Sequence, residues 1–240
     1  MANLTRLLLA VALAGWAQIG LAQQMGLPAA ASKVVLIQQA REANAALMHH
    51  YLWNSRTEII VKGEVKDIRI EQVSYGPTGQ LQRQLLNDQP AAGDSSGPML
   101  PLGFLIKKAI AEQEKQELQQ FLTGLKGLLE QYTLPTAGKM LDFISSATPT
   151  MPDASGLVQL SGFNVVQPGD NLRMWINAWT RHETRMQVNT SFQGAAVQVN
   201  ANFATLPQSG LNYVAFAEAT VPAKQLSVQV QNYNYARLAY

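Results

Sequence analysis

Glu58 and Glu71 come nearest to the spacing of a catalytic carboxylate pair, because they fall on two adjoining alternating stretches that should pair as strands. Arg56 and Arg69 lie on the same stretches. Cross-strand ion pairs then account for all four charges without any chemistry. His49 and His50 stand side by side at the end of a helical stretch, where neighbouring side chains diverge by about 100°, so they do not converge on one metal ion. His182 is the only other histidine, and nothing specifies carboxylates to complete a zinc set. The chain has no serine-nucleophile elbow, phosphate-binding glycine loop or HExxH sequence. Without a cysteine, thiol catalysis, disulfides and a lipidated N-terminal cysteine are excluded. These residues predict a protein with no enzymatic activity, no cofactor and no metal.

What remains informative is apolar spacing. Ser32 can cap a helix that starts at Lys33 and carries Val34, Ile37, Ala40, Leu47 and Met48 on one stripe. From Tyr51 the period changes to two. Trp53, Ser55, Thr57, Ile59 and Val61 share a strand face, Gly63 reverses the chain, and Val65 to Tyr75 returns beside it. In that second strand Ile68 and Ile70 sit on one phase and Val73 and Tyr75 on the other, which predicts a bulge near Glu71 and Gln72. Gly76 to Gly79 is a turn and Gln80 to Leu86 a third strand, followed by an aperiodic connection from Asn87 to Pro101.

A helical insertion follows, from about 102 to 147. Its first helix has Leu118, Phe121, Leu122, Leu125, Leu129 and Tyr132 on one face, while the all-polar stretch Glu112 to Glu117 predicts a bend or a projection into solvent. Pro135 can open a second, shorter helix with Met140, Leu141, Phe143 and Ile144 on its apolar side. The remainder alternates strictly: Leu172, Met174 and Ile176, then Met186, Val188, Thr190 and Phe192, then Val197, Val199, Ala201 and Phe203, then Leu226, Val228 and Val230. Arg173, Gln187, Asn189, Gln198, Asn200, Asn202 and Gln229 occupy the alternate phase, as in a sheet with one buried and one wet face. Pro168 to Asp170, Asn177 to His182 and Gln193-Gly194 are the turns. The predicted fold is α+β, a curved open antiparallel sheet of about nine strands covered by amphipathic helices.

Met1 to Arg6 is a weakly basic start, Leu7 to Leu21 is apolar, and Gly20-Leu21-Ala22 supplies the small residues a signal peptidase reads. Residues 1–22 are therefore expected to be a cleaved signal peptide and 23–240 a single domain in the periplasm, with no transmembrane segment after cleavage. Without Arg6, 17 basic side chains face 16 acidic ones. Nucleic acid is not an expected partner, since phosphate binding needs a concentrated basic face.

With its signal peptide, amphipathic first helix, the opening strand Tyr51-Leu52-Trp53-Asn54-Ser55-Arg56-Thr57-Glu58, the helical insertion and the closing hairpins, the chain resembles the periplasmic lipoprotein-carrier superfamily of the LolA and LolB type. Leu172 to Ala178 is similar to that family's strand leading into an acidic, proline-bearing corner, but the acid and the proline are missing here. The resemblance implies the fold, with the sheet curled into a half-barrel, and no individual residue. It also implies a hydrophobic ligand, a small lipid or the acyl chain of an acylated protein, between sheet and helical lid. The residues expected to line such a site are Met186, Val188, Phe192, Val199, Phe203, Val228 and Val230 on the sheet, with Phe121 and Leu125 on the helix. Trp53, Trp175, Trp179, Tyr233 and Tyr235 are candidates for its mouth, and plain packing is the alternative for every one of them. The other expected function is an adaptor that binds an envelope protein and no lipid.

Overall fold

The computed structural model describes residues 29–89, 102–133 and 137–238; the expected signal peptide and Pro135 lie outside the described residues. The element order is α1 (Ala29–Met48), β1 (Tyr51–Val61), β2 (Glu64–Tyr75), β3 (Leu81–Gln89), α2 (Leu102–Gln131), α3 (Ala137–Ser146), β4 (Thr148–Pro149), β5 (Leu157–Phe163), β6 (Asn171–Asn177), β7 (Glu183–Phe192), β8 (Ala195–Thr205), β9 (Asn212–Val221) and β10 (Leu226–Arg237), with a single 3-10 turn, Pro222–Lys224, between β9 and β10. The strands form one open sheet in the order β3-β2-β1-β10-β9-β8-β7-β6-β5-β4. Among the described residues ten strands replace the expected nine or so, because Thr148 and Pro149 add a short edge strand.

Every pairing is antiparallel. Among the described residues the one pairing between strands distant in sequence is β1 with β10, where Thr57 faces Val230 and Ile59 faces Val228. It joins the N-terminal meander to the C-terminal one, so strands from both sides of the 90–101 connection share a sheet. Two-residue turns set the register of two hairpins. Lys62 and Gly63 have φ of 55° and 78°, and Gln193 and Gly194 have 50° and 77°; paired positive φ values are the type I′ geometry whose twist matches the strands.

Four local expectations are corrected. First, α1 begins at Ala29 and not at Lys33, so Ser32 is inside the helix and is no N-cap. Second, of the bend or solvent projection expected at Glu112 to Glu117, no break appears: α2 is one continuous helix there, with Gln116 and Glu117 exposed, because Glu, Gln and Lys are strong helix formers and extend a helix without an apolar face to pack. Third, β3 continues to Gln89, with Ile68 facing Gln89; the ladder overrides the weak strand propensity of Asn87 and Asp88. Fourth, the irregularity predicted near Glu71 is present between Ile70 and Glu71, but its extra residue is on β3 and not on β2. Ile70 faces Asn87 while Glu71 faces Leu85, which leaves Leu86 as the extra residue, and the β1–β2 ladder passes Glu71 and Gln72 without a break. Both phases of β2 are apolar because each face of that strand carries its own apolar pair.

The alternation places the core. One row crosses the sheet as Gly162, Leu172, Val188, Val199, Ala219, Val228 and Ile59. The next crosses as Leu160, Met174, Met186, Ala201, Ala217, Val230, Thr57 and Arg69. Phe121, Leu125, Tyr132, Met140 and Phe143 of the helical section pack on this inner face to form the core. The outer face carries the polar phase, including a hydrogen bond from Gln187 Nε2 to Asn200 Oδ1 at 2.9 Å and an Arg185 guanidinium 5.0 Å from the Trp175 ring.

Candidate functional site: the inner sheet face and a cleft at its end

α2 meets the sheet closely. A Cβ at Gly124 would lie 2.6 Å from Phe192 Cζ, and Phe121 stands 5.1 Å from the same ring, edge to face. Of the residues expected to line a ligand, Phe121, Leu125, Val188 and Val199 are buried in the core, and Met186, Phe192 and Val228 are partly buried against it. Phe203 and Val230 are half-buried on β8 and β10 and stand outside that cluster. The inner face thus has a part covered by helices α2 and α3 and a part, around Ala201, Ala217, Val230 and Thr57, where small side chains line the middle of the row. At β2 the row turns charged, with Arg69 Nε 2.9 Å from Asp67 Oδ2.

A buried polar network anchors the end of α2. Asp170, 2% exposed, accepts hydrogen bonds from the backbone N–H groups of Val165 at 2.6 Å, Val166 at 2.8 Å and Gln167 at 2.9 Å. The Tyr132 hydroxyl lies 2.7 Å from both Asp170 Oδ2 and Thr190 Oγ1. Its single proton goes to the carboxylate, so Thr190 donates to the phenol oxygen and accepts in turn from Gln167 Nε2 at 2.7 Å. Burial pushes the Tyr132 hydroxyl well above its ordinary pKa, so it stays a donor. Sequence reading placed Asp170 only in a turn.

At the opposite end of the strands, α1 lies against the starts of β7 and β9 and leaves a cleft of about 220 Å3. Arg41 and Asn44 reach it from one face of α1, Tyr75 from the end of β2, Arg181 and His182 from the β6–β7 turn, and Glu183 from the first position of β7. Asn44 clamps the backbone of Asn212, donating to its carbonyl at 2.8 Å and accepting from its N–H at 2.7 Å. Arg41 Nε is 3.1 Å from Glu183 Oε1, and its Nη2 donates to the Thr133 carbonyl at 2.9 Å. Asn177 Oδ1 takes the N–H groups of Trp179 and Thr180, fixing the turn that presents Arg181.

Burial pushes the Glu183 carboxyl above its ordinary value, against the opposing pull of Arg41 and His182. A folded-state pKa above the unfolded one means that ionisation costs folding energy. That part of the stability is therefore present below the unfolded carboxylate pKa and is lost as pH rises through the folded value. Glu183→Gln should remove this slope and raise the melting temperature at neutral pH while leaving it nearly unchanged in acid. Melting curves across pH, in which the two proteins kept the same spacing throughout, would refute the assignment.

Beside the cleft, aromatic rings run in contact. His49 stacks on Tyr75 at 4.4 Å, Tyr75 meets Trp53 at 6.0 Å, Trp53 stacks on Tyr235 at 5.5 Å, and Tyr235 meets Tyr213 at 4.2 Å. Burial and the neighbouring phenols push the Tyr235 hydroxyl up. Trp53 and Tyr235 thus come together, whereas Trp175 lies under Arg185 on the outer face and Trp179 is 71% exposed in the β6–β7 turn. Glu58 and Glu71 do not meet. Glu58 pairs with Arg56 on its own strand, and Glu71 with Arg83 on β3 at 2.7 Å; their register puts them on opposite faces. Among the described residues no group of three or more His, Asp or Glu side chains could hold a metal ion.

No protein-family model matches the chain. No curated protein matches it either. Among solved structures, it is similar to a LolA superfamily protein from Nitrosomonas europaea, with 12% identity and a TM-score of 0.36 over 85% of this chain and 94% of that one. It is also similar to a DUF1329 family protein from Desulfovibrio piger, with 7% identity and a TM-score of 0.35 over 86% of this chain and 92% of that one.

Proposed function

We propose that this chain is an exported, periplasmic binding protein for a hydrophobic ligand, a lipid or the acyl chain of an acylated protein, held between the inner sheet face and α2. The reading includes no catalytic step. The observation that carries it is the apolar row continuing from the helix-covered part of the sheet to Ala201, Ala217 and Val230, with the half-buried Phe203 nearby on β8. An alkyl chain laid along that row gains about 0.8 kcal/mol per methylene removed from water. Export rests on the leader-like residues 1–22.

Filling the row tests it. Ala217→Phe should weaken binding of a fatty acid or a lipoprotein mimic more than tenfold, because the ring takes the space of two or more methylenes of the ligand, while the melting temperature stays within the range of a surface change. Native mass spectrometry without detergent, with thermal shifts read against ligand concentration, makes the measurement. If wild-type protein takes up no acyl species and Ala217→Phe only lowers stability, the row is plain core and the reading falls. The adaptor reading has an observation of its own: Leu81, Leu85 and Leu86 are 45%, 46% and 49% exposed on β3, an edge strand. A partner strand added there would pair with backbone groups and cover those leucines.

A further inference from the structure

We propose that the cleft between α1 and the β6–β7 turn is a binding site for a compact oxyanion, a phosphate or carboxylate group, held between the guanidinium groups of Arg41 and Arg181 with His182 beside them. The inference is independent of the acyl-binding reading, because it concerns other residues at the end of the sheet. At about 220 Å3 the cleft is smaller than the roughly 300–1,000 Å3 of pockets for drug-sized ligands, so its occupant is small. Its lining sets two guanidiniums, with the His182 imidazole beside them, against one carboxyl, which makes it a site for negative charge. A planar guanidinium with five donors matches the geometry of a phosphate or carboxylate.

The two arginines stand differently. Arg41 is held by Glu183 and the Thr133 carbonyl. Arg181 lines the cleft with no ion pair among the described residues. It sits at φ 62°, a left-handed backbone that costs a residue of this kind energy. Its N–H donates to the Asn177 carbonyl at 2.8 Å, while Asn177 N–H donates to the His182 carbonyl at 2.9 Å, so the turn is braced on both sides of the guanidinium's own residue. The Asn44–Asn212 clamp fixes the opposite wall. An entering oxyanion has Arg181 available and competes for Arg41 with Glu183, which already pairs with it.

Titration of the purified protein with inorganic phosphate, acetate, decyl phosphate and decanol, followed by calorimetry, tests this. Arg181→Asn removes the charge with a residue that tolerates positive φ; it should weaken phosphate binding about tenfold, the scale of a lost charge-assisted hydrogen bond, and leave melting unchanged. Glu183→Gln removes the competitor and should tighten binding severalfold. Inorganic phosphate or acetate binding as well as decyl phosphate marks a free anion as the occupant. Decyl phosphate binding more tightly, with the same sensitivity to Arg181→Asn, marks a lipid head group. If neither anion binds, or if Arg181→Asn binds phosphate as the wild type does, the site is refuted. Equal binding of decanol and decyl phosphate would also refute it while leaving the acyl-binding reading intact.

Discussion

Replacing Asp170 with alanine should lower stability by about 3–5 kcal/mol, the cost of breaking a buried charge-assisted cluster from one side. The carboxylate is the acceptor for the N–H groups of Val165, Val166 and Gln167 and for the Tyr132 hydroxyl. Removing it strands those donors in a place water does not reach, since Asp170 is 2% and Tyr132 1% exposed. Tyr132→Phe deletes one hydroxyl and should cost about 1–2 kcal/mol. In the Asp170→Ala background it should cost less, because the phenol has already lost its acceptor there. Urea denaturation of the two single variants and the double variant measures the coupling, for which about 0.5–3 kcal/mol is the range for groups in one network. Purely additive effects would mean that the loop and the end of α2 are held separately.

Gly162→Val should destabilise by about 1–3 kcal/mol through overpacking, and Phe143→Ala by about 3–5 kcal/mol through an unfilled cavity. A Cβ at position 162 would lie 2.8 Å from Phe143 Cε2 and 3.2 Å from Val165 Cγ2. Phe143 is 3% exposed on α3, which is docked against β5 at that glycine. The two changes should partly compensate in the double variant, since the added methyls enter the space the ring leaves. Denaturation curves would show this as a double variant more stable than the sum of the single losses implies. A Gly162→Val protein as stable as the wild type would show that α3 can lift from the sheet without cost.

The sheet was legible because strand alternation is a local property. Leu172, Val188, Val199 and Val228 stand on the apolar phase of their own strands, and the register places all four in one row. Of the two alternatives at Glu112 to Glu117, a bend or a projection into solvent, the helix runs on without a break and Gln116 and Glu117 are exposed, because an all-polar pattern removes the packing signal and leaves helix propensity intact. The irregularity near Glu71 falls where it was expected, between Ile70 and Glu71, but an extra residue is a property of a pair of strands, and β3 carries it.

The site divides the same way. Sequence alone determined which side chains face inward, because one residue's phase follows from its neighbours. It also determined that Glu58 and Glu71 sit on adjacent strands, but only the register decided that they point to opposite faces. The depth of Asp170, the aromatic run from His49 to Tyr213 and the cleft behind α1 were decided by tertiary structure. Asn44 and Asn212 are 168 positions apart when they clamp the cleft wall, and Tyr132 is 38 positions from Asp170. Contacts at such separations depend on how the helices cross the finished sheet, and no local period in the chain encodes that crossing.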